Sequence, residues 1–296
     1  MTQTGTAMRR RERAAEPKWE TVLRGEWRLR FLPPFRRFRG CELPWDNLGE
    51  LALDAERIVK SSRSRKVVKL SAGQFGTPVE LYVKRYNFKT WYGPLLRSAR
   101  RSRAKEEFDL GWKLIAKGVR TPRPVWLAES RGLLAPYSIL ATEALPEVET
   151  MVERWRRLTT NDERCELLTA LGRFAYNIHA LGFYHDDFKA EHVLVFPNAR
   201  SDPNEFYLID LLGGGFSHRV PKLRRAKNLY QLLRSFMPKR GDLGFTTRHR
   251  DCLLAGYAEF PTQAVAWRRR VNRVGLLKGR KLVPAESGSA DDGMEE

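Results

Sequence analysis

The chain of 296 residues is poor in cysteine, in long apolar runs and in negative charge. Its three cysteines, Cys41, Cys165 and Cys252, are odd in number and far apart. They suggest no disulfide framework and no CxxC metal site, and point to a reducing cytoplasm. With no run of about 20 apolar residues, no segment is expected to span a membrane. The opening, MTQTGTAMRRRERAAEPKW, is basic but has no apolar centre, so no secretory signal is expected. Acidic residues number 35 against 54 Lys and Arg, which leaves a net charge of +19. The end of the chain is acidic, so the body is more basic still. Such a body attracts an anionic partner, whether nucleic acid, acidic membrane or phosphorylated substrate, and charge alone does not choose.

What is present suits a folded chain of two lobes. A hydrophobic fraction of 42%, with 15 Phe, 9 Tyr and 8 Trp, supports a sizeable core. Residues 1–16 read as a flexible basic arm and 285–296 as a flexible acidic tail. Residues 46–57 suggest a short helix. Two β-like runs follow, RKVVKLS and PVELYVKRY, then a helix over 97–117 with Ala104, Phe108, Gly111, Trp112 and Ile115 as its apolar stripe and Gly118 as its stop. TPRP (121–124) is extended, and 136–145 holds a buried-strand pattern. A second helix runs from Asp162 to Leu181, capped by Asn161 or Thr160 and closed by Gly182. Strands VLVF and FYLID come next, and the remainder is helical. Strands with one helix, then mostly helices, indicate an α+β fold with a small β-rich lobe (17–143) and a helical lobe (144–284).

The sharpest motif is His185-Asp186-Asp187-Phe188-Lys189-Ala190-Glu191-His192, between a helix and a short strand. A second strand ends in Asp210, before Leu-Leu and three glycines. The order matches the kinase catalytic loop H-x-D-x-K-x-x-N and the metal-binding D-F-G. Phosphoryl transfer needs a carboxylate beside the attacking hydroxyl, a second on Mg²⁺, and a cation against the transferring group. Asp187, Asp210 and Lys189 suit these roles. Lys84 in ELYVKRY would hold the ATP phosphates and pair with Glu106 or Glu107. Glu107 lies nearer the apolar stripe and is the choice. Alone, Lys84 reads as an exposed strand lysine, and the downstream motif reverses that. Backbone groups of Glu143 and Leu145 fall where an adenine-binding hinge belongs, a position that an ordinary connection would also fill. The phosphate loop should lie at KSSRSRK (60–66), which has no glycine: its amides, serines and arginines serve there, or the segment is a solvated turn.

Several pieces together resemble the lipopolysaccharide kinase (Kdo/WaaP) family. They are SRA…E (102–107), GVRTPRP (118–124), YVKRY, HDDFKAEHVLV, YLIDLL and NLYQLLRS, over about residues 50 to 236. The resemblance implies a bilobal protein-kinase-like fold, ATP with Mg²⁺, and transfer to a Kdo or heptose hydroxyl of the lipopolysaccharide inner core. By motif, Asp187 is then the base, Lys84 and Glu107 position ATP, and Asp210 is a metal ligand. The chain departs from the pattern at Asp186, in place of the Arg that reads an activation-loop phosphate, and at Asn228, where an Asp is usual and where support under the catalytic loop would weaken. It departs again at Tyr82, two before Lys84 on the same strand face, where it would shift or stack on adenine. His192 takes the Asn place, and would contact the metal through water, tolerate Mn²⁺ or brace the loop. His179 reads as a near-core helix residue and His185 as loop packing. The arginine clusters suit an anionic glycolipid and the inner face of the cytoplasmic membrane, with nucleic acid a weaker fit. Trp27, Phe31, Phe35, Phe38 and Trp267 belong at that interface or in the core. The alternatives are a protein or small-molecule kinase of the same fold, or a kinase-shaped protein that binds RNA or acidic lipid.

Overall fold

The period-two pattern of RKVVKL and LYVKRYN demands paired strands with one face buried. In the computed structural model, which describes residues 18–24, 27–32, 58–62, 65–73, 79–87, 102–130, 137–196, 205–237, 244–258 and 260–278, they are β4 (Arg65–Leu70) and β5 (Leu81–Asn87). They pair antiparallel with Val67 opposite Lys84. β3 (Ile58–Ser62) forms a hairpin with β4, and β7 (Tyr137–Glu143) pairs with the other side of β5. β6 (Pro124–Ser130), β2 (Trp27–Phe31) and β1 (Glu20–Arg24) extend the sheet to seven strands in the order β1-β2-β6-β7-β5-β4-β3.

β1, β2 and β6 add to the sequence reading, which took only TPRP as extended. The reason is clearest in β6. Val125, Trp126, Leu127 and Ala128 are all 0% exposed, so both faces are covered and no alternation marks the strand. Phe31 and Trp267 are core residues, and Trp27 packs against the sheet core. Phe35 and Phe38, the expected helix at 46–57, and the arm and tail lie outside the described residues.

α1 (Arg103–Ala116) lies against β6 and β7. Its start is set by Ser102, whose Oγ accepts from the Lys105 amide at 3.1 Å. The first residues of the expected helix (97–101) lie outside the described residues. Ala104, Phe108, Gly111 and Leu114 form the buried stripe, and Gly118 ends the helix at φ 78°.

The rest is helical. After β8 (Glu149–Thr150) come α2 (Met151–Arg157) and α3 (Asn161–Ala180). Thr160 caps α3, in a reciprocal capping box with Glu163. Two short pairs follow: β9 (Phe183–His185) with β12 (Gly214–Phe216), and β10 (Val193–Val195) with β11 (Tyr207–Leu208). α4 (Lys222–Ser235), α5 (Thr247–Tyr257) and α6 (Pro261–Leu277) complete a second core with α2 and α3. The fold is therefore α+β and bilobal: a β-rich lobe with one long helix, then a helical lobe. No helix among the described residues is long and apolar enough to cross a membrane.

The cysteine expectation is corrected. Cys165 on α3 and Cys252 on α5 form a disulfide with Cα atoms 5.4 Å apart. The pairing was hidden because it depends on how closely α3 and α5 approach. At their crossing, a Cβ on Gly172 would overlap the Leu253 carbonyl, and one on Gly256 the Thr169 carbonyl. Helix propensity favours Ala over Gly by about 1 kcal/mol, but backbone overlap at this crossing outweighs it. Gly256→Ala is expected to lower unfolding free energy by about 2 kcal/mol net, measured by urea denaturation.

Candidate active site

Side chains two apart on a strand share a face, so β5 presents Tyr82, Lys84 and Tyr86 together. Across from them α1 presents Glu107, which is 3% exposed. Lys84 Nζ lies 2.6 Å from Glu107 Oε1, and the Tyr86 hydroxyl donates to Oε2. Both carboxylate oxygens are thus satisfied, as a buried charge requires. Burial, then the Glu107 charge, push the Tyr86 phenol well above its ordinary pKa, so it stays a donor. Glu106, the rival choice, is exposed.

The opposite wall is the loop from His185 to His192 and the segment at Asp210. His185 joins them. The Asp187 amide donates to His185 Nδ1 at 3.0 Å, so the ring hydrogen sits on Nε2 and is donated to the Asp210 carbonyl at 2.8 Å. Burial lowers the His185 pKa and keeps the ring neutral. His185 is therefore a tie between the two segments, more than the packing residue the sequence suggested. Asp210 has φ 54°, a left-handed conformation uncommon for a residue with a side chain.

The Asp210 carboxylate is gripped by Arg65 at the start of β4, with Nη1 2.6 Å from Oδ1 and Nη2 3.1 Å from Oδ2. Burial alone would raise the Asp210 pKa. The guanidinium outweighs it and, with smaller contributions from His192 and Lys84, holds it down to about 2. Asp187 is half-exposed, and one of its oxygens meets Lys189 Nζ at 2.7 Å.

Three polar residues of α4, at helical spacing, hold the loop from beneath. The Asn228 side chain accepts from the His185 amide at 3.2 Å and donates to the His185 carbonyl and to Gln231. Gln231 accepts from the Phe188 amide at 3.3 Å and donates to the Asp186 carbonyl. The Ser235 hydroxyl accepts from the Ala190 amide at 3.0 Å. Asn228 was expected to weaken this support. Instead it bonds both backbone groups of His185, and an ionised Asp could not have donated to the carbonyl.

At the hinge, the Glu143 amide donates to the Arg123 carbonyl at 3.0 Å, and its carboxylate meets the Arg123 side chain. Any adenine contact at Glu143 therefore falls to its carbonyl. Leu145 follows, half-buried, outside β7. Lys66 and Ser61–Ser62 of the expected phosphate loop belong to the β3–β4 hairpin, and residues 63–64 lie outside the described residues.

For a divalent cation the donor set is small. The Asp187 carbonyl can only accept, so the His192 Nδ1 beside it at 3.0 Å carries the ring hydrogen. In the neutral ring, Nε2 then turns a lone pair towards Asp210 Oδ2, 3.7 Å away. Two acceptors facing each other at that spacing suit a cation. Among the described residues no three His, Cys, Asp or Glu side chains form a cage. An Asp210 oxygen and a His192 nitrogen would make the one or two protein ligands that a cation of the Mg²⁺ type takes.

A family model, "Lipopolysaccharide kinase (Kdo/WaaP) family", matches residues 50–257. The chain belongs to that family. Its members are kinases, so the chain is an ATP-using phosphotransferase that acts on lipopolysaccharide, with a sugar hydroxyl as acceptor. Among solved structures, "WaaP in complex with acyl carrier protein" matches with a TM-score of 0.54 and 20% identity, over 86% of this chain and 99% of that one. At that identity the likeness speaks for the protein-kinase-like fold alone. No curated protein matches the chain.

Within this lipopolysaccharide kinase, the sequence did not single out Arg65, Tyr86, Gln231 and Ser235. Tyr86 was visible as a neighbour of Lys84 on the same strand face. Gln231 and Ser235 were visible as polar residues in register with Asn228 on an otherwise apolar helix face. Arg65 was visible only as one arginine of the 60–66 segment, with no link to Asp210.

His179 lies beneath the loop, 1% exposed. Its Nε2 is 3.1 Å from Asn228 Oδ1 and its Nδ1 2.9 Å from the Tyr257 hydroxyl. Burial lowers its pKa from 6.5 to about 4, partly offset by the bond to Asn228. The unfolded chain therefore binds this proton more readily. The stability linked to His179 is complete above pH 6.5 and is lost as pH falls towards 4, by about 3 kcal/mol. Urea midpoints across that range should fall in the wild type, and less steeply in His179→Gln.

Proposed function

We propose that the chain transfers the γ-phosphoryl group of ATP to a hydroxyl of Kdo or heptose in the lipopolysaccharide inner core, at the cytoplasmic face of the inner membrane. The observation that carries this reading is two walls joined by the Arg65–Asp210 contact. One holds the Lys84–Glu107 pair, and the other holds Asp187 and Asp210, tied together by His185.

In this reading Lys84, fixed by Glu107, binds the α- and β-phosphates, and the Glu143 carbonyl and Leu145 amide meet the adenine edge. Asp210, with His192, would hold Mg²⁺, which would neutralise phosphate charge. Asp187 orients the acceptor hydroxyl and takes its proton. The acceptor oxygen bonds to phosphorus, and the bond to the ADP oxygen breaks. Lys189, 2.7 Å from Asp187 Oδ2, adds positive charge beside the transferring group. An anionic glycolipid suits a chain of net charge +19. Exposed arginines such as Arg224, Arg269 and Arg273 can meet its phosphates or the membrane, at roughly 1 kcal/mol per charge near anionic lipid.

Labelled ATP offered with lipopolysaccharide, with Kdo- or heptose-terminated cores, with protein and with no acceptor tests this reading. Label should enter the glycolipid, and the core that accepts it names the sugar. Asp187→Ala and Asp210→Asn should each lower transfer by about 10³-fold. Transfer that survives Asp187→Ala contradicts the assigned base. Tyr82 shares the cleft face of β5, so Tyr82→Ala should weaken ATP binding several-fold in a nucleotide-displacement titration, and unchanged affinity rules out stacking on the base.

A further inference from the structure

Arg65 is the one strong contact of Asp210 that the kinase scheme does not use. It reaches 145 residues along the chain, from the β3–β4 hairpin to the metal-ligand segment, and occupies both carboxylate oxygens. The hairpin end that carries it is fixed: the Arg65 amide donates to Ser62 Oγ at 3.2 Å, and the Ser62 hydroxyl donates to the Arg65 carbonyl at 3.0 Å. Its side chain is 15% exposed and that of Asp210 24%. A divalent cation and a guanidinium carry like charge and draw on the same two oxygens, so each weakens the other's hold on Asp210. Asp210 also does not depend on Arg65 for its place, because His185 holds its backbone carbonyl at 2.8 Å. A planar guanidinium that grips a carboxylate with two parallel bonds has the geometry to grip a phosphate. The hairpin that carries it occupies the place of the phosphate loop in this fold and supplies no glycine there.

We propose that Arg65 is an exchangeable counter-ion. It neutralises Asp210 until nucleotide and divalent cation arrive together. It then yields Asp210 to the cation and takes a phosphate oxygen of the nucleotide. The exchange keeps charge matched throughout: carboxylate passes from guanidinium to metal, and guanidinium from carboxylate to phosphate. Arg65 thus replaces the glycine-rich loop in part, and it disfavours metal binding without nucleotide. This rests on Asp210 as the metal ligand and ATP as the donor.

The test compares full-length wild type, Arg65→Gln, Arg65→Lys and Asp210→Asn, each confirmed as folded by thermal unfolding. Mn²⁺ binding without nucleotide is read from the electron paramagnetic resonance of free Mn²⁺. Affinity for ATP with Mg²⁺ is read by calorimetry. In Arg65→Gln, Mn²⁺ should bind several-fold tighter and ATP with Mg²⁺ about tenfold weaker. Arg65→Lys keeps the charge without the paired grip and should fall between, and it carries the test if the Gln variant does not fold. Mn²⁺ affinity that is unchanged or weaker in both Arg65 variants would show Arg65 to be a structural brace and overturn the exchange. ATP affinity unchanged in both would remove its phosphate role. Asp210→Asn separates the two readings: if it binds Mn²⁺ as wild type does, the assignment of Asp210 to the metal fails whatever Arg65 does.

Discussion

A carboxylate buried in a protein needs a partner for each oxygen, and Glu107 has Lys84 on one and Tyr86 on the other. Sliding α1 by one residue along the sheet would break both bonds and strand a charge in the core, at a cost of several kcal/mol. This one requirement fixes the register of α1 on β5, and with it the direction of the Lys84 ammonium. The lysine is thereby placed before any substrate arrives. Tyr86 and Arg65 face each other across the β5–β4 pair. The positioning of Glu107 thus continues, strand by strand, to the carboxylate on the far wall.

The far wall is organised differently. The loop from His185 to His192 has little regular structure of its own, only the 3₁₀ turn Ala190–His192. Its backbone groups are satisfied from below by Asn228, Gln231 and Ser235, and from the side by His185. Amides and a hydroxyl do what a single buried carboxylate would do elsewhere. They can donate as well as accept, and none of them adds charge beneath a site already crowded with it.

The strands β4 and β5, the capped helix α3 and the His185–His192 and Asp210 motifs were legible in the sequence, because each depends on local pattern or on chemistry with few substitutes. β6 was missed because burial on both faces removes alternation. β1 and β2 were missed because their role exists only once β6 offers an edge. The disulfide was missed because two glycines decide how near α3 comes to α5. Gln231 and Ser235 were passed over, because a polar residue on a helix usually faces solvent. Arg65 was one arginine of the candidate phosphate segment 60–66, and nothing in that segment tied it to Asp210. Its significance is a relation to Asp210 across 145 positions, which no local pattern encodes.

The left-handed backbone at Asp210 has a consequence for control. To point this carboxylate away from the cleft, the chain must give up the His185 bond to its carbonyl and both guanidinium bonds at once. At roughly 1 kcal/mol or more for each lost bond, an inverted resting form is costly, and Asp186 supplies no arginine through which a phosphorylated loop could impose one. A chain built this way rests with that carboxylate already turned inward, whether or not substrate is near.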